Sequence, residues 1–533
     1  MLSLTLTALA LAPQVPTGPA VLRDPQTAAA DGFGSAVAID ADLLVVGSRE
    51  DVGNAFASYG PGAVTVFRRA GGVWSVEARL TASDGEDRDA FGAAVDVDAT
   101  AGVVVVGAPR ADGGGASGKA YVFERQPNGS WLERARLAGV PGRERYGAAV
   151  AVRGGICAIG QPDFTADVHL VERGPAGAWS AAGALTRPAT VFDSSEFGEA
   201  LAMEGDLLVV GAPGEDAQSY DSGATYVFRR TGAGAAFAEE ARLEHPSAFV
   251  VTYHGTDVDV DVTAGTERVA VGSQDDRAFV WTRLPGGWTD VAELAPFDGE
   301  LGGFGETVAL DGTVDGARVV VGATRRSGSS ADSGAALEYV LDGGAWTPRS
   351  LVHPTVVADR GFASSLALSG DTLVVGSPRT DALGLDAGTA LRYRIDLRLG
   401  TSHCAGRANS TGASAALTAR GSTAVAANDL AFDVVGLPAG SVGYLLMATS
   451  RNQVPGLGGG DGDLCLGGTI SRVLTALGTA DALGTRAVTL DSGALPPSAV
   501  LIPGSTWSFQ WWYRDANPSP TSNTTHAVEL LFE

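Results

Sequence analysis

The sequence predicts an all-β fold built from repeated sheets, and three observations lead to this prediction. A segment with a period of 50 to 58 residues recurs seven times. Each copy contains four short runs rich in β-branched and aromatic residues, separated by Gly, Pro, Asp and Asn. None of these runs has the apolar spacing that an amphipathic helix requires. A period of this length indicates supersecondary units that stack on one another.

Two landmarks define the repeat. The first is an aromatic residue followed by Gly, and the second is a Val-rich run that ends in Gly and a small residue. The first landmark occurs at Phe33-Gly34, Phe91-Gly92, Tyr146-Gly147, Phe197-Gly198, His254-Gly255, Phe304-Gly305 and, with Ala in place of Gly, Phe362-Ala363. The glycines of the second landmark are Gly47, Gly107, Gly160, Gly211, Gly272, Gly322 and Gly376.

The second copy shows the four strands most clearly, at 91–97, 103–107, 119–125 and 131–137. Its second strand is apolar throughout, as expected for a strand covered on both faces. Its fourth strand is rich in Glu and Arg, as expected for an outer strand in contact with solvent. Four strands in about 50 residues are typical of one propeller blade. We therefore predict a seven-bladed β-propeller over residues 20–397.

The two ends of the repeat array complement each other. Six copies have a fourth strand that begins near an aromatic residue and ends in Leu, but the last copy stops after its third strand at 389–397. A strand-like piece at residues 20–23 precedes the first Phe-Gly landmark. We expect this piece to supply the missing outer strand of the seventh sheet, which would close the propeller and protect its edges.

Residues 404–533 have no such period and predict a separate, small β-sandwich domain. Its strand-like runs are separated by Gly- and Pro-rich turns. Alternation in its most aromatic run puts four aromatic residues on one face, which favours a core, and Trp512 on the other. A sugar-stacking platform is the alternative interpretation. The four residues on the first face are Trp507, Phe509, Trp511 and Tyr513.

Charge excludes some partners. The formal net charge is −24 and the pI is near 4.6, so nucleic acid and anionic membranes are poor partners.

No internal apolar run reaches the length of a transmembrane segment. An apolar start with small residues predicts a secretory signal peptide at 1–12, with a buried strand as the alternative. Export would place the chain in an oxidising compartment, where Cys404 and Cys465 could pair.

The landmarks carry a resemblance to a known family. Phe-Gly, Gly-Ala-Pro and the run Gly-Ala-Thr-Tyr-Val-Phe at 223–228 resemble FG-GAP repeats of bacterial extracellular proteins and, more distantly, the propeller of integrin α chains. The C-terminal region, with Cys404, Cys465 and the run at 509–515, resembles C-terminal modules of secreted planctomycete-type proteins. The second resemblance implies a role in sorting or surface attachment.

The FG-GAP resemblance also implies calcium loops between the first and second strands of a repeat. Calcium needs six to eight oxygen ligands, and most of these connections are tight turns here. The best remnant is Asp257, Asp259 and Asp261, which precede Gly265. These three are candidate calcium ligands, but alternation along a strand also favours a simple solvated surface. No cofactor is required by the sequence.

Acidic clusters lie on connections that share one face of a propeller. Asp84, Asp87 and Asp193 lie between repeats, whereas Glu215 and Asp216 lie between the second and third strands of one repeat. One interpretation is a solvated rim that keeps the protein soluble. The other is a face that binds a partner or a cation, because function usually resides on loops held by a rigid scaffold.

The connection at 48–61 is the longest of its set and contains Phe56 and Tyr59. Two aromatic residues among small ones suit recognition of a partner. The alternative is that both rings pack on the neighbouring blade. We predict that this loop contacts the ligand.

Catalytic motifs are absent from the sequence. The six histidines have no HExxH spacing and there is no Gly-x-Ser-x-Gly elbow. The Gly-rich run at 113–120 resembles a phosphate loop, but Ala120 replaces the magnesium-binding hydroxyl and a strand follows instead of a helix.

The sequence therefore predicts an exported, non-catalytic propeller for adhesion or recognition of an extracellular protein or glycan. One alternative is a hydrolase or lyase acting on polysaccharide, with Asp84, Asp87 or Asp193 as acid and base. Another is a purely structural envelope component.

Overall fold

A computed structural model describes most of the chain after residue 19. The described residues are 20–24, 26, 31–49, 60–112, 117–163, 167–187, 195–232, 234–247, 251–296, 300–313, 316–326, 333–342, 344–352, 361–380, 387–394, 401–404, 406–412, 414–420, 425, 428, 430–456, 462–480, 484, 486–496, 498–515 and 521–532. The chain divides into two compact units, Met1–Arg394 and Ile395–Glu533. The predicted signal peptide at 1–12 lies outside the described residues.

The first unit contains seven antiparallel four-stranded sheets within the described residues. Six of them are formed by four consecutive strands. They are β2 (Phe33–Asp40), β3 (Leu43–Ser48), β4 (Ala63–Ala70) and β5 (Val73–Leu80); β6 (Ala94–Asp98), β7 (Val103–Ala108), β8 (Lys119–Arg125) and β9 (Trp131–Ala138); β10 (Val150–Arg153), β11 (Ile156–Gln161), β12 (Asp167–Arg173) and β13 (Trp179–Thr186); β14 (Ala200–Glu204), β15 (Leu207–Ala212), β16 (Ala224–Arg230) and β17 (Phe237–Glu244); β18 (Val258–Thr263), β19 (Thr266–Ser273), β20 (Arg277–Leu284) and β21 (Gly287–Leu294); β22 (Phe304–Thr313), β23 (Gly316–Ala323), β24 (Ala335–Asp342) and β25 (Ala345–Val352).

The seventh sheet combines both ends of this unit. It contains β26 (Ser365–Ser369), β27 (Thr372–Ser377), β28 (Thr389–Arg394) and β1 (Ala20–Leu22). β1 pairs antiparallel with β28, with Val21 opposite Leu391. The outer position that the last repeat cannot fill is therefore occupied by the first described strand of the chain.

Neighbouring sheets contact each other through their first strands. β2 contacts β6, and the same contact recurs between β6 and β10, β10 and β14, β14 and β18, β18 and β22, and β22 and β26. β26 in turn contacts β2. The first strands therefore contact one another in cyclic order.

The apolar pattern of each repeat explains these sheets. All residues of β7 are buried, whereas β9 alternates between half-buried and exposed positions. Val45 and Val66 of the first sheet share one hydrophobic core with Val104 and Tyr121 of the second. Phe91 of the first landmark is fully buried in this core, where its ring meets the Tyr121 ring edge-on at 5.3 Å.

The two glycine landmarks allow neighbouring backbones to approach. Gly92 has a φ of +91°, and a Cβ there would lie 2.7 Å from the Ala63 carbonyl oxygen. A Cβ on Gly47 would lie 2.0 Å from the carbonyl oxygen of Gly92 on the next sheet. Only glycine combines this backbone conformation with so little space.

The second unit contains three sheets within its described residues. A five-stranded sheet has the order β29 (Thr401–His403), β38 (Thr521–Leu531), β37 (Thr506–Asp515), β32 (Val442–Ala448) and β35 (Ser471–Thr479). A three-stranded sheet has the order β30 (Ala416–Arg420), β31 (Ala431–Val435) and β36 (Arg486–Thr489). The third sheet is the hairpin of β33 (Ser450–Pro455) and β34 (Asp463–Gly467). A short 3₁₀ helix spans Ser492–Ala494.

One hydrophobic core joins the two larger sheets of this unit. Phe432 of β31 lies 4.8 Å from Phe509 of β37, measured between ring centroids. Trp507, Phe509, Trp511 and Tyr513 all belong to this core and are at most 5% exposed, which confirms the core interpretation of their alternation. Cys404 and Cys465 form a disulfide with a Cα–Cα distance of 6.0 Å. No described helix has the length and apolar character needed to cross a membrane.

Candidate functional site

A cavity of about 450 Å³ is lined by the first strands of all seven sheets. Its charged lining is almost entirely acidic: among the described residues it contains seven carboxylates and one guanidinium. The charged residues are Asp40, Asp96, Arg153, Glu204, Asp257, Asp259, Asp261 and Asp311.

Strand alternation turns the three aspartates around β18 toward this cavity. Val258 and Val260 point the opposite way and belong to the core between two sheets. The intervening Asp257, Asp259 and Asp261, here called the aspartate ladder, line the cavity. The sequence thus places one carboxylate at every second residue of a first strand, because successive side chains of a strand point to opposite faces.

Each carboxylate of the aspartate ladder accepts a hydrogen bond from the backbone of the next sheet. The Val308 N–H donates to Asp257 Oδ2 at 2.8 Å. The Leu310 N–H donates to Asp259 Oδ2 at 2.7 Å, and the Gly312 N–H donates to Asp261 Oδ1 at 2.9 Å. The ladder therefore joins the fifth and sixth sheets at three levels.

This role bears on the prediction that Asp257, Asp259 and Asp261 line a solvated surface, while calcium binding by the three stays a prediction. Asp261 is only 7% exposed, whereas Asp257 and Asp259 are half-buried, so all three carboxylates are engaged by backbone groups and are partly or wholly shielded from water. The second oxygens of Asp257 and Asp259 accept the N–H groups of the residues that follow them. Within the part of the chain that the structure describes, no group of three His, Cys, Asp or Glu side chains is arranged to hold a metal ion.

The same kind of bond recurs at other junctions between sheets. The Ala99 N–H donates to Asp40 Oδ2 at 2.8 Å. The Val152 N–H donates to Asp96 Oδ2 at 2.7 Å, and the Gly154 N–H donates to Asp98 Oδ2 at 2.8 Å. The Gly370 N–H donates to Asp311 Oδ2 at 3.2 Å. Carboxylates on first strands are thus a general means of joining these sheets.

Burial perturbs the acidity of the cavity carboxyls. Desolvation raises the pKa of Asp257 to about 7 and that of Asp259 to about 8, although backbone hydrogen bonds act in the opposite direction. Desolvation raises the pKa of Asp311 to about 7, with the nearby Asp261 charge acting in the same direction. These carboxyls therefore titrate near neutral pH.

Arg153 is the single cation among the described lining residues. Its guanidinium lies 2.9 Å from Asp40 of the first sheet and 2.8 Å from Glu204 of the fourth sheet. Burial acts to lower the pKa of Arg153, but the charges of Asp96, Glu204 and Asp40 outweigh it and the pKa is raised. Arg153 thus links carboxylates from sheets that are distant in sequence.

Asp84, on the predicted acidic rim, forms an ion pair with Lys119 and a hydrogen bond with Tyr121. Its carboxylate lies 3.0 Å from Lys119 Nζ and accepts a hydrogen bond from Tyr121 Oη at 2.9 Å. Burial alone would raise the pKa of Asp84, but these hydrogen bonds and the Lys119 charge lower it. Asp87, on the same connection, is exposed.

Glu215 differs from its neighbour Asp216. Glu215 is 1% exposed, accepts hydrogen bonds from Tyr226 Oη at 2.8 and 2.9 Å, and pairs with Arg187 at 3.2 Å and Arg242 at 2.5 Å. It therefore stabilises its own sheet and its surroundings. Asp216 is exposed and accepts the Asp221 N–H at 2.8 Å.

Three predicted site residues, Phe56, Tyr59 and Asp193, lie outside the described residues. Of the predicted ligand-binding residues that are described, the structure leaves Asp87 and Asp216 exposed on connections between strands. It does not bring the rim carboxylates and the aspartate ladder into one site, since only the ladder lines the cavity.

Comparison with known proteins identifies the repeats. A family model described as FG-GAP repeat matches residues 19–67, 74–123 and 192–228. These segments are similar to FG-GAP repeats. Together with the four-stranded sheets that contact one another through their first strands, the match supports an FG-GAP β-propeller.

Solved structures give distant similarities. A protein from Lactobacillus plantarum is 15% identical, with 60% of this chain and 84% of that chain covered and a TM-score of 0.41. Sqt1 of Saccharomyces cerevisiae is 12% identical, with 69% of this chain and 97% of that chain covered and a TM-score of 0.43. The search of curated proteins found no match.

The sequence contains a signal for the carboxylates that join the sheets of the FG-GAP propeller. Asp96 and Asp98 alternate with valines, as do Asp257, Asp259 and Asp261. Of these, Asp96 and the aspartate ladder line the cavity, whereas Asp98 is buried at the junction between two sheets. What the sequence does not contain is the position of the backbone N–H that each carboxylate accepts.

Proposed function

We propose that this chain is an exported, non-catalytic FG-GAP propeller that recognises an extracellular protein or glycan at or outside the cell surface. The observation that carries the proposal is that acidic side chains of the rim and of the cavity form hydrogen bonds and ion pairs within the protein. Asp84, Glu215 and the aspartate ladder all hold structural hydrogen bonds or ion pairs. Carboxylates committed in this way stabilise a rigid scaffold, and scaffolds of this kind present their function on connecting loops.

The proposal includes a closed ring of seven blades. Two features of the first and seventh sheets favour closure. One hydrophobic cluster contains Leu22 and Val374 of the seventh sheet and Phe33 and Leu44 of the first. In addition, the Phe33 N–H donates to the Ala387 carbonyl oxygen at 3.0 Å. A ring whose last blade takes its outer strand from the start of the chain has its ends joined by β pairing.

The recognition surface of the proposal is the set of loops between strands and between blades. Its members are the exposed Asp87 and Asp216 together with the sequence candidates Phe56, Tyr59 and Asp193. The acidic character of these loops and the net charge of −24 favour a partner with a basic patch, because complementary potentials steer association.

An array of glycans and extracellular proteins, probed with the purified full chain with and without calcium, tests the proposal. We expect binding without turnover of the bound ligand. The double variant Asp87→Asn/Asp216→Asn should weaken that binding, whereas Asp290→Asn, on the exposed outer strand β21, serves as the control. Absence of any bound glycan or protein under both conditions would contradict the proposal.

A polysaccharide hydrolase or lyase is the second candidate function. The observation in its favour is the raised pKa of Asp257 and Asp259, to about 7 and about 8, within a cavity. A general acid must be protonated near the working pH, and such carboxyls meet that condition. Release of reducing sugar from a glycan that the array identifies, abolished in Asp259→Asn, would replace the first proposal with this one.

A further inference from the structure

The second unit has a pocket of about 240 Å³ that the propeller does not contribute to. It lies on the face of the five-stranded sheet opposite the core. Trp512 points to this face, whereas Trp511 and Tyr513, its neighbours along β37, are buried in the core. The pocket is lined by Tyr444, Leu446, Leu464, Ile470, Arg472 and Trp512, with Ser522 at its edge.

The walls of this pocket are held in place. Leu464 belongs to the hairpin β33–β34 and packs in one hydrophobic cluster with Leu446, Tyr444 and Trp512. The next residue of the hairpin, Cys465, forms the disulfide with Cys404. The pocket is thus formed between a sheet and a hairpin that a covalent bond fixes, so a ligand meets a preformed site.

Two aromatic rings and two guanidiniums form a stack in this region. Tyr444 lies directly opposite Trp512 in the register of β32 and β37. Their ring centroids are 4.9 Å apart with an interplanar angle of 29°. The Arg472 guanidinium lies 5.5 Å from the centroid of the Tyr444 ring, and that of Arg514 lies 5.2 Å from the centroid of the Trp512 ring.

These two arginines differ from the stacked arginines of the first unit. Arg69, which lies over Trp74, also pairs with a carboxylate at 3.1 Å. Arg230 over Phe237 and Arg242 over Tyr226 likewise have carboxylate partners within 4.0 Å. Within the described residues, Arg472 and Arg514 have no carboxylate partner, and both are exposed.

Stacking leaves the edge of a guanidinium free to bind. An arginine that lies over an aromatic face is held in position while its N–H donors still point outward in their plane. In a chain with a net charge of −24, a cation without an acidic partner in the lining of a pocket, Arg472, provides a local site for an anion. Arg514 lies over Trp512, outside the lining, and adds positive charge to the same region. The planar arrangement of the donors suits a carboxylate or a sulfate.

We propose that this pocket binds an acidic saccharide. Its carboxylate or sulfate group would accept hydrogen bonds from Arg472, with Arg514 adding positive charge nearby. The apolar face of the sugar ring would pack against Ile470, Leu464 and the ring edges of Tyr444 and Trp512, and its hydroxyls would lie near Ser522. This site is separate from the loops of the proposed propeller function, and it gives the chain a second, glycan-binding region.

Other anions fit the pocket less well. A nucleic acid strand carries a charge on every nucleotide and meets a chain with a strongly negative net charge. A sugar unit with a single anionic group needs only the local cations. The volume of about 240 Å³ suits one sugar ring of a longer chain, since drug-sized ligands occupy pockets of roughly 300 to 1,000 Å³.

Affinity electrophoresis of the full chain tests this proposal. Native gels contain polygalacturonate, dextran sulfate or neutral dextran, so that carboxylate, sulfate and uncharged sugars are distinguished. We expect retardation by at least one of the two acidic polymers and none by dextran. Arg472→Gln should weaken the binding by about tenfold, because a hydrogen bond between two charged groups is lost. Arg514→Gln should weaken it less, and Arg472→Lys should restore part of it.

Arg69→Gln is the matched control, because Arg69 is also stacked on an aromatic ring but lies in the first unit. Equal retardation of the wild type, Arg472→Gln and Arg69→Gln would overturn the proposal. Equal binding to dextran, or no retardation in any gel, would also overturn it. Displacement of the polysaccharide by a single-stranded oligonucleotide through Arg472 would overturn the assignment of a saccharide.

Discussion

At two junctions between neighbouring sheets, side chains on or next to a first strand form hydrogen bonds with the backbone of the next sheet, but the two junctions use different side chains. Between the fifth and sixth sheets, the aspartate ladder accepts three backbone N–H groups. Between the seventh and first sheets, hydroxyls take the place of carboxylates in the bonds to backbone groups, while Asp24 and Asp371 pair with arginines of the first sheet at 3.0 and 3.1 Å. Ser365 Oγ donates to the Gly34 carbonyl oxygen at 3.0 Å, and Ser369 Oγ accepts the Ala41 N–H at 3.3 Å. The seventh sheet also receives β1.

The difference shows what charge adds to a structural hydrogen bond. A hydroxyl is neutral over the whole physiological range, so its bond does not depend on pH. A carboxylate is a stronger acceptor, but its burial costs free energy when it is ionised. The stability of the junction between the fifth and sixth sheets, here called the fifth junction, should therefore depend on pH. The stability of the junction between the seventh and first sheets, here called the seventh junction, should depend mainly on β1 and on apolar packing.

Leu22→Asp should cause the largest loss of stability, because it puts a charge into the apolar contact between the seventh and first sheets. Leu22 of β1 is 6% exposed and packs between the seventh and first sheets. An unpaired charge at such a position costs about 3 to 5 kcal/mol. We expect a lower midpoint of thermal unfolding and faster proteolysis of the propeller. Val21, which is 44% exposed, provides the control Val21→Asp. Equal effects of the two variants would mean that β1 does not close the ring.

Gly92→Ala should have the next largest effect, because it disturbs the junction of the first and second sheets. The new Cβ would lie 2.7 Å from the Ala63 carbonyl oxygen at a φ of +91°. Backbone strain and overpacking together should cost about 2 to 4 kcal/mol. Gly142→Ala is the control, since Gly142 has a φ of +80° but no atom within 4 Å of its Cβ position. If calorimetry finds equal losses, the close approach of the backbones is not the cause.

Asp259→Asn should change the pH dependence of stability at the fifth junction. The pKa of Asp259 is raised by burial to about 8, above its value in the unfolded chain. The folded state therefore binds more protons than the unfolded state, and its stability falls as the pH rises through 8. Asn resembles the protonated carboxyl, so the variant should lose less stability than the wild type between pH 6.5 and 8.5.

Thermal unfolding at several pH values in this window measures that change. The carboxylates whose pKa is lowered, such as Glu240 at about 2, titrate well below it and do not contribute to the slope. Asp87→Asn, at an exposed position, should keep the slope of the wild type. A slope in Asp259→Asn identical to that of the wild type would show that Asp259 is ionised throughout.

Ser365→Ala should have the smallest effect. It removes one neutral hydrogen bond to Gly34 at the seventh junction, which is worth about 1 kcal/mol. The loss should be the same at pH 6.5 and pH 8.5, in contrast to the fifth junction. Ser130→Ala, on an exposed turn, provides a reference for removing a hydroxyl. A loss that varies with pH would remove the distinction between the two junctions.

Much of the fold could be predicted because the relevant information is local and repeated. The valines of β7 and the glycines at 47 and 92 fix an apolar strand and two close approaches in each copy. The pairing of β1 with the last repeat was predicted from a missing strand at one end and a spare strand at the other. Repetition supplied seven observations of the Val-rich landmark and six of an aromatic residue followed by Gly.

The candidate sites were harder to predict, because their chemistry depends on partners that are distant in sequence. The sequence predicts that Asp259 is a calcium ligand or a solvated residue, and it contains no sign of the hydrogen bond that Asp259 accepts from Leu310 on the next sheet. The sequence places Glu215 on the acidic rim. In the structure it is buried, accepts a hydrogen bond from Tyr226 and forms an ion pair with Arg242. Alternation along the strand is enough to predict that Trp512 faces away from the core. Only the structure shows that two guanidiniums without carboxylate partners lie near it.

The sequence by itself determined where strands begin, which faces are apolar and where only glycine fits, because side-chain size and strand alternation act within a few residues. The tertiary structure decided which charges are neutralised and which remain available, because hydrogen bonds and ion pairs between sheets join residues roughly 50 positions apart, as Asp259 and Leu310 illustrate.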